Sequence, residues 1–177
     1  MDKKELRAQI RALKRAMTEE QIVEASARLG ELFAASAQYK EAKTIYGYLP
    51  YNQEVRTVPM LEQALRDGKR VAVPKCYGNE MRFIYMDDLS KVAPGYADIP
   101  EPIADEPVAD DKTALVLMPG MAFTKNGDRM GYGGGFYDKF LAAEPEHPTV
   151  ALCYAFQMVE SLPTEEYDIP VDCVLWA

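Results

Sequence analysis

Short apolar runs separated by helical stretches constrain this chain more than any other feature of it. Residues 44–49, 70–74, 115–118, 149–154 and 173–176 are each four to six residues long and mostly apolar without alternation. Such runs read as strands covered on both faces, and 81–86 reads as a further strand. Leu6, Ile10, Leu13 and Met17, spaced four, three and four, make one apolar face of a first helix. Thr18-Glu19-Glu20-Gln21 is a capping box opening a second, whose apolar face is Ile22, Ala25, Leu29, Leu32 and Phe33. A third has Pro59 in its first turn and Gly68 past its end. Strands alternating with helices predict an α/β fold of three layers, a largely parallel sheet flanked by helices. At 177 residues the chain is expected to form one domain, 1–177, in which the acidic, proline-rich residues 87–112 are a long surface loop.

One of these runs leads into an unusual segment. Leu115-Val116-Leu117-Met118 is stopped by Pro119-Gly120, and Gly131, Gly133, Gly134 and Gly135 follow before apolar residues resume with helical spacing near Phe136. Glycine lets backbone approach a ligand closely. Successive N–H groups and a helix N-terminus then form a concavity suited to an anion. Lys125 and Arg129 add full charges from the same segment, and the guest that fits is a phosphate; the alternative is a flexible loop with no ligand. Neither a Walker loop nor a dinucleotide fingerprint is present, since no Lys-Ser/Thr follows the glycines and Phe136 stands where the third fingerprint glycine belongs.

A net charge of −8 argues against nonspecific nucleic-acid binding, and a phosphate site in such a chain must concentrate positive charge locally. Six of the 20 Lys and Arg residues lie in the first fifteen positions. Lys3, Arg7, Arg11 and Lys14 form a second stripe of the first helix, and Lys3 and Arg7, four apart, can reach one anion; a solvated basic face is the ordinary alternative. Cys76, Cys153 and Cys173 have no metal or redox spacing and fit a reducing compartment, with the last two expected in the core. The single histidine, His147, is expected in a loop, which leaves no histidine triad or multi-histidine metal site. No run has transmembrane length, and the N-terminus has no signal-peptide core, so a cytoplasmic protein without a membrane partner is expected.

The run Arg129-Met130-Gly131-Tyr132-Gly133-Gly134-Gly135-Phe136-Tyr137-Asp138 resembles the Arg-Leu-Gly-aromatic-Gly-x-Gly-Tyr-Tyr-Asp signature of the 5-formyltetrahydrofolate cyclo-ligases, also called methenyltetrahydrofolate synthetases. Lys3-x-x-x-Arg7, Tyr51 with Glu54-x-x-Thr57, Pro119-Gly120-x-Ala122-Phe123, Phe156-Gln157 and Asp168-Ile169-Pro170-Val171-Asp172 resemble other landmarks of that family, in the same order. Met130 and Phe136 are mild departures. Gly134 stands where some members carry lysine, a contact that Lys125 could replace, and Thr124 stands where many carry aspartate.

The resemblance implies ATP-dependent closure of 5-formyltetrahydrofolate to 5,10-methenyltetrahydrofolate, with ADP and phosphate released. The formyl oxygen would take the γ-phosphoryl group, and N10 would then displace phosphate. Such chemistry needs positioning and charge neutralisation more than a protein nucleophile. ATP would be held by Lys3, Arg7, Arg129, Met130, Gly131, Tyr132, Gly133, Gly134, Gly135, Phe136 and Tyr137, with Arg129 and Lys125 as the catalytic charges. Tyr51 and Glu54 would contact the reduced folate, although Glu54 could instead cap the helix after Thr57. Asp138, directly after the glycines, and Asp168 would hold Mg²⁺ on the phosphates. Their alternatives are a first-turn helix acid and a turn residue before Pro170. A monomer is expected. Two other readings compete: a sugar-phosphate isomerase with Glu54 as its base, and a non-catalytic folate or nucleotide binder.

Overall fold

The position of each residue along the strands divides the core in two. The computed structural model describes all 177 residues and contains a six-stranded sheet. Its strands are β1 (Thr44–Tyr46), β2 (Arg70–Tyr77), β3 (Glu80–Tyr85), β6 (Leu115–Met118), β9 (Thr149–Cys153) and β10 (Cys173–Trp176), in the order β10-β9-β6-β1-β2-β3. Alternate side chains leave a strand on opposite faces. Ile45, Leu115, Leu117, Val150 and Leu152 therefore pack on one face, where Leu29 and Phe33 of α2 (Glu19–Ala35), Tyr39 of α3 (Ala37–Glu41) and Leu61 of α4 (Val58–Arg66) cover them. Tyr46, Val116, Met118, Ala151 and Cys153 point the other way and pack with Leu141 of α5 (Phe136–Ala143). Helices thus flank a mostly parallel sheet, as the apolar runs predict.

The last strand departs from the parallel rule. β3 runs antiparallel to β2, because the two are joined by a tight hairpin at Gly78-Asn79, with Gly78 at φ 63°. Residues 87–112 are more than a loop. They hold β4 (Val92–Pro94) and β5 (Pro100–Pro102), an antiparallel pair around a 3-10 turn at Tyr96–Asp98. A second small pair, β7 (Ala122–Phe123) and β8 (Arg129–Met130), follows β6.

Helix α1 (Lys3–Arg15) lies on that second pair, with Ile10 packed among Met121, Ala122 and Met130. Its inward face differs from the expected one. Leu13 is 41% exposed, and Lys14, assigned to the basic stripe, is buried at 7%. His147 does sit between α5 and β9, yet it is buried there, with one ring nitrogen 2.7 Å from the Ala114 carbonyl and the other 2.9 Å from Glu144. Cys153 is buried and Cys173 partly so, and no cysteine is in a disulfide. No helix is long and apolar enough to cross a membrane.

Candidate active site

Strand order reverses between β1 and β6: the chain proceeds from β1 to β2 on one side and from β6 to β9 on the other. Crevices at such a reversal, beyond the carboxyl ends of the strands, are where open α/β sheets bind ligands. A cavity of about 590 Å³ lies there. Its walls are the loop after β1, the glycine segment, the start of α5, the tip of the β4–β5 pair, Asp168 and the basic side of α1.

The glycine segment takes the shape its composition suggests. Gly133 has φ 109° and Gly135 has φ 70°, values that L side chains seldom adopt, and a Cβ at either would meet nothing within 4 Å. These two glycines are required by the path of the backbone and not by crowding. Gly135 caps α5 without any side-chain acceptor, which leaves first-turn N–H groups for a ligand. Arg7 Nε–H donates to the Gly131 carbonyl at 3.2 Å and ties α1 to this segment.

Arg129 lies beneath the glycines with its side chain only 6% exposed. It donates from Nη1 to the Pro119 carbonyl at 2.9 Å and from Nη2 to Asp138 at 3.3 Å, while its buried Nε has no partner. A buried donor without an acceptor is costly, and this Nε–H is closed off from solvent, so the fold carries that cost at the site. Lys125 is not brought to this place. It is exposed in the turn between β7 and β8 and forms no part of the cavity wall, because a two-residue strand pair carries the turn away from the glycines.

Across the cavity, Tyr51 and Glu54 stand together on the loop after β1. Glu54 Oε1 accepts from the Tyr51 backbone N–H at 2.8 Å, and Oε2 accepts from the Tyr132 hydroxyl at 3.1 Å. Glu54 therefore does not cap α4. Thr57 occupies that position, and its hydroxyl donates to the Tyr48 carbonyl instead. Burial pushes the Glu54 carboxyl above the usual carboxylate range, opposed chiefly by Lys14. Lys14 Nζ donates to the same Tyr132 hydroxyl at 3.2 Å, and burial pulls its ammonium below the usual lysine range, opposed chiefly by Glu54. Sequence reasoning gave Lys14 no role of its own. The available signal was its position, four residues after Ile10 and three before Met17, on the apolar stripe itself.

Asp138 and Asp168 line one end of the cavity, and the Ile169 N–H donates to Asp138 Oδ1 at 3.3 Å. Asp168 Oδ2 accepts from the Glu165 N–H at 2.7 Å and lies 4.0 Å from Lys3 Nζ, which leaves Oδ1 without a protein partner. No group of three or more His, Cys, Asp or Glu side chains could hold a metal by itself. Two carboxylates with spare lone pairs fit Mg²⁺ only where phosphate oxygens and water complete the shell, which is the way Mg²⁺ is usually held.

The model of the 5-formyltetrahydrofolate cyclo-ligase family matches residues 1–177. A 5-formyltetrahydrofolate cyclo-ligase of Escherichia coli K12 is 32% identical over 94% of this chain and 95% of its own. The mouse cyclo-ligase is 28% identical over 98% and 93%. Among solved structures, a 5,10-methenyltetrahydrofolate synthetase of Aquifex aeolicus superposes with a TM-score of 0.86 at 29% identity, covering 99% of this chain and 90% of the other.

Proposed function

The chain belongs to the 5-formyltetrahydrofolate cyclo-ligase family, and from that premise we infer that the cavity between β1 and β6 is where it closes 5-formyltetrahydrofolate to 5,10-methenyltetrahydrofolate at the expense of ATP. The structural observation that carries the placement is the convergence of α1, the glycine segment and the Tyr51–Glu54 loop on one cavity. Full-length similarity to cyclo-ligases sets the isomerase and the non-catalytic readings aside.

The residues divide the work by charge. The backbone N–H groups of the glycine segment and of the start of α5, with Arg129, Lys3 and Arg7, take the nucleotide phosphates. Arg129, on the cavity wall beneath the glycine segment, supports a phosphate oxygen beside it. Asp138 and Asp168 would hold Mg²⁺, which neutralises and orients the phosphates when bound. Tyr51 covers the pterin face, and Glu54 accepts from folate N–H groups. Held in this way, the formyl oxygen attacks the γ-phosphorus and ADP leaves. N10 then attacks the formyl carbon, phosphate departs, and N10 gives up its proton. Removing the substrate from water and fixing N10 near the formyl carbon are what the cavity contributes. Lys125, outside the cavity, has no part in this scheme.

We assign the protein to a reducing compartment, the cytoplasm, which its three unpaired cysteines support, and propose a monomeric catalytic domain of residues 1–177. The test is the appearance of methenyltetrahydrofolate absorbance on mixing with 5-formyltetrahydrofolate, ATP and Mg²⁺. Absorbance that grows without ATP, or none with it, overturns the proposal.

A further inference from the structure

Lys14 is an ammonium in an unusual place. Among the five basic residues of α1 that line the cavity it alone is buried, at 7% exposure. Its one hydrogen bond runs to the Tyr132 hydroxyl at 3.2 Å, and its Nζ lies 5.5 Å from the centre of the Tyr132 ring. An ammonium only donates, so the hydroxyl must accept from Lys14. Its single proton is then committed to Glu54 Oε2, 3.1 Å away. The direction of both bonds follows from the lysine's charge. Tyr132 is otherwise 46% exposed, and its hydroxyl end is held between α1 and the loop after β1.

We propose that Lys14 is a positioning residue that acts through the Tyr132 hydroxyl to hold Glu54 as an oriented, ionised acceptor for the folate substrate. The proposal rests on the reading of Glu54 as a folate contact and adds what makes that contact work. Burial favours a neutral Glu54, which would offer an O–H where the substrate needs an acceptor. The groups facing Glu54 are few. Lys14 from α1 and Arg56 from its own loop bear positive charge, while Tyr48 of the same loop and Tyr132, Tyr137 and Tyr154 from three other parts of the fold are neutral hydroxyls. Arg56 is engaged elsewhere, with the Asn52 and Glu54 carbonyls and with Glu19. Lys14 is thus the positive charge left to Glu54; its charge acts on the carboxylate across space, and its hydrogen-bond path to it runs through Tyr132.

The test compares Lys14→Met, Tyr132→Phe, their double variant and Glu54→Gln, with thermal melts to confirm folding. In the wild type, kcat/KM for 5-formyltetrahydrofolate should fall on the acid side as Glu54 is protonated, and Glu54→Gln should abolish that limb. Lys14→Met should move the limb upward by about one pH unit and raise the folate KM about tenfold at neutral pH, with kcat changed far less. Tyr132→Phe should act in the same direction on the folate KM and move the limb less, because the Lys14 charge remains, and the double variant should be little worse than Lys14→Met, because the hydroxyl carries only the lysine's hydrogen-bond path. An unmoved limb and folate KM in Lys14→Met overturns the proposal. So does a uniform fall in kcat with a lowered melting temperature and no shift of the limb. If Glu54→Gln leaves the folate KM unchanged, the folate reading of Glu54 fails, and the relay fails with it. If Glu54→Gln raises it while Lys14→Met does not, only the relay fails.

Discussion

Arg129 does structural and chemical work with the same guanidinium. Its bond to the Pro119 carbonyl fixes the end of β6, and its pairing with Asp138 fixes the start of α5. The sequence alone suggests that Arg129→Ala would spare the fold. A side chain 6% exposed with these partners says otherwise. The variant should lose about 1–3 kcal/mol of stability as well as ATP affinity, read by denaturant melts and by calorimetry. Unchanged ATP affinity would remove Arg129 from the nucleotide site. Asp138→Asn should cut kcat steeply, with partial recovery at raised Mg²⁺; wild-type activity at low Mg²⁺ would rule out the ligand role. Lys14 and Glu54 shape stability as well as chemistry. The raised Glu54 value means its contribution favours folding below the ordinary carboxylate range and is lost as pH rises through the raised value. The lowered Lys14 value means its contribution favours folding above the ordinary lysine range and is lost as pH falls through the lowered value. At neutral pH a buried ammonium stands beside a half-buried carboxylate, so the combined Lys14→Met, Glu54→Gln variant should be at least as stable as the wild type while its folate KM rises. A clear loss of stability in that variant would show the pair to be net stabilising.

At the scale of elements, one glycine outside the signature sets the shape of the site. Gly127, in the turn between β7 and β8, has φ 92°, and a Cβ there would lie 2.1 Å from the Val171 carbonyl oxygen. The Val171 N–H donates to the Gly127 carbonyl at 2.7 Å, so the segment after Asp168 is laid directly on this turn. Gly127→Ala should cost about 2 kcal/mol or more. It should also raise the KM for ATP as Asp168 shifts; a melting temperature and KM equal to the wild type would show that the segment adapts. Much of this level was legible in advance. Continuous apolar runs marked the strands buried on both faces, and Thr18 and Gln21 form the reciprocal cap their spacing promised. The β4–β5 pair was hidden because Pro94, Pro100 and Pro102 read as breakers, whereas a two-stranded ribbon with open edges tolerates them. The sequence marks β3 as a strand at 81–86, and its antiparallel direction is also legible, through Gly78-Asn79 between two apolar runs. The site was legible where its residues are adjacent in sequence, as in the glycine segment. The bridge from Lys14 through Tyr132 to Glu54 depends on separations of 118 and 78 residues, which no local pattern encodes.

For the whole molecule, a net charge of −8 surrounds a cavity walled on one side by Lys3, Arg7, Arg11, Lys14 and Arg15. A cleft lined by one sign of charge focuses the field within it, and added salt weakens that effect. The KM for ATP should therefore rise by about an order of magnitude between low and high ionic strength, and the folate KM should rise less. Equal responses would place the basic side of α1 outside the nucleotide's approach. The same wall also has a history within each molecule. Arg7 and its partner Gly131 are 124 residues apart, so during synthesis α1 leaves the ribosome long before the strand pair it rests on exists. Until Met121, Ala122 and Met130 follow, Ile10 has no partner surface, and closing so long a loop carries its full entropic cost. α1 is thus made before the other four helices and docks among the last of them, and a nascent chain can have most of its sheet in place while one wall of its cavity is still absent.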